Sequence, residues 1–230
     1  MRTTSGGYDT FDLKEMKRRG GFGLNTPDVL NVSVVDHGIA LMFAVSRRLT
    51  ELDALVRQGR WSTTPFRDMY GCELSGKKLG IIGMGHIGVT LARKAIAGFD
   101  MEVSYYNRSR KTDLEAELGV RYLPLDELLR DSDYIVTLVP LTKETYHMIS
   151  RREFSLMKPS AIFINIARGS VVDEAALVEA LENHEIYGAG LDVFEKENFG
   201  EGNPLTKFSN TVLTPHVASA TTECREKLGQ

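Results

Sequence analysis

Only two cysteines, Cys72 and Cys224, occur in 230 residues. That is too few for a disulfide framework, and neither sits in a CxxC or Cys/His spacing that would ligate zinc. Both are expected to be ordinary thiols, and no metal site is expected. Excess positive charge is also missing. A net charge of −3 excludes the basic surface that nucleic acid or an anionic membrane would require. The N-terminus, Met1 to Gly7, has no apolar core of the kind a secretory signal needs, so a cytoplasmic protein is expected. Long hydrophobic runs are absent as well. The longest, around Gly38 to Val45, lies between Asp36-His37 and Arg47-Arg48, is far too short to span a bilayer, and reads as a buried helix. No internal repeat and no tract of biased composition points to a solenoid or to disorder.

What is present is an alternation of short apolar strands with amphipathic helices. Residues 13–19 read as a short basic helix, 22–25 as a strand, and Thr26-Pro27-Asp28 as a turn. From about Ser33 to Gly59, apolar residues at three- and four-residue spacing predict one long helix. Strands are predicted at Leu79 to Ile82, Glu102 to Tyr106, Tyr134 to Val139, Ala161 to Ile166, Gly190 to Phe194 and Thr211 to Thr214, with helices at Ile87 to Ala97 and Glu174 to Glu182. Apolar strands separated by helices imply a parallel sheet covered on both faces, hence a doubly wound α/β fold of the Rossmann type.

The sequence Gly83-Met84-Gly85-His86-Ile87-Gly88 is a GxGxxG directly after a predicted strand and directly before a predicted helix. Chemistry explains the three glycines: a tight turn, an approach to pyrophosphate without a side chain in the way, and close helix–strand packing, with the anion on the helix N-terminus. Alone, the motif also occurs as a plain Gly-rich turn. At the end of the next strand, where an acid would bond the ribose hydroxyls of NAD, stand Asn107, Arg108, Ser109 and Arg110. An acid would repel a 2′-phosphate; Arg108 with Ser109 would attract one, which favours NADPH with NADH still possible. Both arginines as solvated loop charges is the plainer alternative.

Three further patterns lead nowhere. Gly71 to Lys78 nearly matches a P-loop but lacks the final Ser or Thr and leads into a strand. Two glycosylation sequons, at Asn31 and Asn107, are uninformative without a secretory signal. None of the eight tyrosines has a lysine four residues later, which excludes the Tyr-Lys chemistry of short-chain dehydrogenases.

Two later segments carry the clearest signal: Asn165-Ile166-Ala167-Arg168-Gly169-Ser170-Val171-Val172-Asp173, and Leu191-Asp192-Val193-Phe194-Glu195-Lys196-Glu197 followed by Leu213-Thr214-Pro215-His216. With the Gly83 to Gly88 turn they resemble the D-isomer-specific 2-hydroxyacid dehydrogenases, and among these the glyoxylate, hydroxypyruvate and 2-ketogluconate reductases. The resemblance implies Arg168 as the substrate arginine, His216 as general acid and Glu197 as its carboxylate partner. Such chemistry is coherent. A planar guanidinium suits a carboxylate, and an imidazole that is mostly neutral at pH 7 needs a carboxylate to hold its proton. Each of the three also has an ordinary reading as a helix-end cation, a solvated acid and a strand-end residue.

By the same resemblance Asp192 contacts the nicotinamide carboxamide, Val139, Pro140, Thr145 and Ala167 line the cofactor, and Gly6 and Gly7 offer backbone N–H groups to the substrate carboxylate. The implied fold has a Rossmann domain at 28–215 inserted into a flavodoxin-like substrate domain, of which 1–27 and 216–230 are remnants; most of that smaller domain is expected to be missing. Departures from the family pattern are Asn198 in place of proline, Ala218 in place of glycine and Val34 in place of a threonine. The family also implies a homodimer through the long helix and the arm from Trp61 to Tyr70, with core packing as the alternative for that arm. The expected reaction is reduction of a small 2-oxo acid. A nucleotide-sensing corepressor-like protein and a catalytically silent fragment are the competing readings.

Overall fold

A computed structural model describes residues 18–19, 29–197 and 202–229. Gly6, Gly7, Asn198, the strand 22–25, the turn 26–28 and most of the helix 13–19 lie outside the described residues.

Seven parallel strands run in the order β3-β2-β1-β4-β5-β6-β7: β1 Lys78–Ile82, β2 Glu102–Tyr106, β3 Arg121–Tyr122, β4 Tyr134–Thr137, β5 Ile162–Asn165, β6 Gly188–Leu191 and β7 Thr211–Leu213. Successive residues of a strand face opposite ways, and the inner strands divide their side chains accordingly. Ile81, Tyr134, Val136, Ile162 and Ile164 belong to one core; Ile82, Ile135 and Phe163 belong to a second core on the other face. The first is closed by α1 Asn31–Ser46 and α3 His86–Phe99, through Val35, Leu41, Met42, Leu91 and Ala95. The second is closed by α5 Leu125–Asp131, α6 Arg151–Leu156 and α7 Glu174–Glu182, through Leu128, Phe154, Ala176, Leu177 and Leu181. Each of the Val, Leu, Ile, Met and Phe side chains among these contributes roughly 1.5–3 kcal/mol by leaving water. The doubly wound architecture is the one the alternating pattern predicts.

Two of the expected elements come out differently, and the short edge strand β3 was not expected. The long helix is broken into α1 and α2 Leu49–Arg57 by Arg48, which sits in the left-handed region at φ 53°. Tertiary contacts account for the break. Cys72 N donates to Ser46 O at 2.8 Å, and the Arg48 guanidinium forks onto Glu51 while also reaching the Tyr70 carbonyl at 3.2 Å. The arm 61–72 thus takes the carbonyl that a continuous helix would have used. The strand expected at 190–194 lies at Gly188–Leu191 instead, where Gly188 and Gly190 let α1 seat against it; a Cβ on Gly190 would come within 3.0 Å of Leu41 Cβ.

Short helices that periodicity did not announce, α4 Thr112–Leu118, α5 and α6, are set by their ends. In α6, Ser150 and Glu153 form a reciprocal capping box. Ser150 Oγ also donates to Asp173 Oδ2 at 2.8 Å, and Asp173 Oδ1 accepts from Ala176 N, so one serine joins the N-termini of α6 and α7. The last helix, α8 Thr222–Gly229, buries Cys224 in the first core, and Thr221 meets Ser33 of α1 at 2.8 Å. Among the described residues no helix is long and apolar enough to cross a membrane.

Candidate active site

In a doubly wound sheet the side chains of any crevice come from the loops that follow the strands, and the crevice opens where strand order reverses. Here the reversal lies between β1 and β4. Every described site residue anticipated from the sequence follows the carboxyl end of β1, β2, β4, β5, β6 or β7, so all lie along one edge of the sheet.

After β1, Gly83 takes φ 109°, a conformation costly for any residue with a Cβ, and a Cβ there would meet the Leu138 carbonyl carbon at 2.8 Å. Gly88 packs against the Gly83 carbonyl, which seats α3 on the strand. Gly85, the N-cap of α3, has nothing within 4 Å of where its Cβ would be and makes no side-chain cap. Its neighbours His86 and Ile87 are exposed and half-buried. An open, side-chain-free approach to the first turn of a 14-residue helix is what a pyrophosphate group requires. The residues fit a dinucleotide.

At the end of β2 the two arginines have different fates. Arg110 is committed, with both Glu115 oxygens within 2.8 Å and its guanidinium 5.8 Å from the Tyr122 ring. Arg108 and Ser109 are exposed at the loop tip, which Asn107 Nδ2 braces by donating to Ser109 O at 2.9 Å. After β4, the Thr145 hydroxyl donates to Pro140 O at 2.6 Å and accepts from Thr142 N, holding the loop beyond half-buried Val139. The hydroxyl is used by the loop itself.

After β5, a buried asparagine that the sequence reading left without a role organises the turn. Asn165 Oδ1 accepts from Thr137 Oγ1 at 2.9 Å and from Ala167 N at 3.1 Å, and its Nδ2 donates to Arg168 O at 3.0 Å. Arg168 is half-buried and donates through Nη1 to Ala167 O at 2.7 Å. The next residue, Gly169, touches the loop after β6 so closely that a Cβ would overlap the Phe194 carbonyl. The Thr137–Asn165 and Gly169–Phe194 contacts are not visible in sequence, because each joins residues far apart along the chain.

After β6 and β7, His216 Nδ1 lies 2.7 Å from Glu197 Oε1. The pair opens on a cavity of about 280 Å³ whose walls are Phe194, Leu213 and Pro215 on the apolar side and Thr206 and Thr214 on the polar side. Arg168 does not line that cavity. His216 itself adopts φ 55°, unusual for a residue with a side chain. Its turn is held by Asp192, 1% exposed: the main-chain carbonyl accepts from His216 N at 2.8 Å, Oδ1 from Val217 N at 2.9 Å and Oδ2 from Ala218 N at 2.8 Å. Ala218, the departure from glycine, therefore still makes its backbone bond. Burial by itself would raise the Asp192 pKa, but hydrogen bonds from His37, Thr214 and these amides outweigh it and hold the carboxylate below its ordinary value.

Two other charged groupings are structural in character. Ligand-type atoms of His147, Asp173 and Glu195 lie within 4.8 Å of one another, yet both carboxylates serve the N-terminus of α7: Asp173 as its cap, Glu195 by accepting from Glu174 N at 2.9 Å. His147 Nε2, 2.8 Å from Glu195 but off the hydrogen-bond direction, adds an ion-pair contact when protonated. In a second cleft, between Arg151, Arg152, Glu179, Asn183 and Glu185, both arginines are already paired, Arg151 with Glu179 and Arg152 with Asp126.

The chain is similar to known proteins over most of its length. Residues 39–218 match the model of the D-isomer specific 2-hydroxyacid dehydrogenase NAD-binding domain. A glyoxylate reductase of Pyrococcus furiosus is 47% identical over 228 residues, covering 97% of this chain and 67% of its own length. Among solved structures, an NADPH-dependent glyoxylate/hydroxypyruvate reductase of Sinorhizobium meliloti, in complex with NADP and malonate, superposes with a TM-score of 0.87 at 37% identity, over 97% of this chain and 69% of that one. A D-lactate dehydrogenase of Aquifex aeolicus, complexed with NAD and lactic acid, gives 0.88 at 35% identity, over 99% and 71%. With the sheet order, the glycine turn and a family match over most of its length, the chain belongs to the D-isomer specific 2-hydroxyacid dehydrogenases, NAD(P)-dependent oxidoreductases of CH–OH groups.

Proposed function

We propose that this protein reduces a small 2-oxo acid, glyoxylate, hydroxypyruvate or 2-ketogluconate, to the D-2-hydroxy acid and prefers NADPH to NADH. The observation that carries the proposal is the 2.7 Å contact of His216 with Glu197, the imidazole–carboxylate pair that a proton donor needs. A bound nicotinamide would supply hydride for the carbonyl carbon. Gly83, Gly85 and Gly88, with the first turn of α3 at His86 and Ile87, would hold its pyrophosphate. Val139, Pro140, Thr145, Ala167 and Asp192 would border its remaining parts.

The protein's own residues manage charge and protons. Arg168, fixed at the end of β5 by Asn165, binds the substrate carboxylate and draws electron density toward the ketone oxygen. As the carbon–oxygen π pair moves onto that oxygen, His216 delivers the Nε2 proton to it and is left as neutral imidazole. Glu197 accepts the Nδ1 hydrogen throughout, fixing which nitrogen faces substrate. Arg108 and Ser109 receive the 2′-phosphate of NADPH, with Asn107 shaping their loop; Arg110, bound to Glu115, does not take part. Gly6 and Gly7 are proposed to contact the substrate carboxylate. Residues 28–215 are assigned to the cofactor domain, with 1–27 and 216–230 belonging to the substrate domain.

The test follows nicotinamide absorbance with each 2-oxo acid, NADPH or NADH, and three proteins. The unaltered chain is expected to favour NADPH, Arg108→Ala to lose that preference, and His216→Gln to lose about 10²–10⁴-fold in kcat while still binding nucleotide. Nucleotide binding without turnover in the unaltered chain would mean that the missing part of the substrate domain is essential or that the protein is a sensor.

A further inference from the structure

α1 carries a histidine that neither the glycine turn nor the proposed proton relay employs. His37 Nε2 lies 2.9 Å from Thr214 Oγ1 and 3.4 Å from Asp192 Oδ1. Thr214 Oγ1 is in turn 2.6 Å from Asp192 Oδ1. The direction of these bonds follows from counting hydrogens. A hydroxyl has one, and an ionised carboxylate can only accept. The short Thr214–Asp192 contact therefore uses the hydroxyl hydrogen, and the Thr214 oxygen must accept from His37. That places a hydrogen on His37 Nε2.

Asp192 is the residue whose carboxylate and carbonyl hold His216, Val217 and Ala218 in their turn, with His216 at φ 55°. A left-handed backbone at a residue with a side chain persists only where its surroundings fix it. The chain of contacts is continuous from α1 to the proton donor: His37, Thr214, Asp192, then the His216 amide.

We propose that His37 is a positioning residue for His216, acting through its Nε2 hydrogen on Thr214 and Asp192 and touching neither substrate nor cofactor. The role in turnover rests on the function proposed above; the structural coupling does not. His37→Phe keeps a ring of similar size and removes the donor. His37→Gln restores an N–H at about the same reach. Losing the donor leaves the Thr214 hydroxyl oxygen without the hydrogen bond it accepts and loosens the Asp192 carboxylate, so the imidazole of His216 samples orientations from which its proton cannot reach substrate.

Two measurements on the full chain decide the matter. In steady-state kinetics, His37→Phe is expected to lower kcat about tenfold, with KM for the 2-oxo acid changed less than about twofold, and His37→Gln to recover most of the loss. In nuclear magnetic resonance of the nucleotide-free protein, the His216 ring signals, assigned with His216→Gln, are expected to shift in His37→Phe and return in His37→Gln, and the His37 nitrogen shifts to report a hydrogen on Nε2. Should His37→Phe fail to fold, Thr214→Val cuts the same link and takes its place. An unmoved His216 signal, or an undiminished kcat in a folded variant of an active enzyme, overturns the inference. Turnover absent in the unaltered chain, or insensitive to His216→Gln, overturns the proposed function instead, and the resonance measurement still decides the coupling.

Discussion

Asp192 keeps its charge in a place where water is almost absent, and the reason is the number of donors around it. His37, the Thr214 hydroxyl and two backbone N–H groups all point at one carboxylate. A carboxyl group whose pKa falls on folding stabilises the native state above its unfolded value, near 3.9, and loses that contribution as pH falls through the folded value. Thermal stability is therefore expected to drop as pH is lowered below about 4. Asp192→Asn is expected to be less stable at neutral pH and to show a shallower acid decline in melting experiments. The decline should not vanish, because Asp131, bonded to Lys78, and Asp133, bonded to Lys158 and the Lys78 amide, are lowered in the same direction. An acid limb unchanged in Asp192→Asn would mean that this carboxylate is not stabilised by its donors.

Among the elements, the loops after β5 and β6 behave as one unit, and Gly169 is where they meet. Replacing it with alanine forces a methyl group into the Phe194 carbonyl, so the loops bearing Arg168 and Glu197 must part. Overpacking of this kind costs about 1–3 kcal/mol. Gly169→Ala is expected to lower the melting temperature and to reduce kcat/KM together, checked by calorimetry and kinetics on one preparation; a loss of stability without loss of activity would separate the two loops. How much an element owed to its own sequence varies. β1, β2 and α7 were legible because each has its own signal, an apolar run or a capping aspartate. β6 begins two residues and ends three residues before the expected strand because Gly188-Ala189 lacks the branched side chains that mark strands, and the break at Arg48 came from an arm more than ten residues away. The Glu197–His216 pair could be anticipated only through the family resemblance. The roles of Asn165, Gly169, His37 and Thr214 were hidden, since a partner distant in sequence leaves no trace in local periodicity.

For the whole molecule, the arm after α2 stands out: Trp61 is 65% exposed, Phe66 75% and Tyr70 62%. Phe66 and Tyr70 pack edge to face on each other, yet the described residues leave their outer faces to solvent. Aromatic side chains of this sort are typical of an interface centre, in keeping with the homodimer that the family implies and against core packing of the arm. Sedimentation is expected to give a dimer for the unaltered chain and a monomer for Trp61→Ser with Phe66→Ser. A dimer that survives both changes would place the contact elsewhere.

The two edge strands of the sheet limit what other associations are open to the chain. β3 has two residues and β7 three, and the first of β3 is an exposed arginine. Unpaired main-chain groups at a sheet edge are templates on which another chain can add, and brief edges give such a template almost no length. Two molecules meeting edge to edge would gain only a few hydrogen bonds, and at β3 they would also hold the Arg121 cation between them. Open-ended stacking into fibrils is thereby discouraged at both margins.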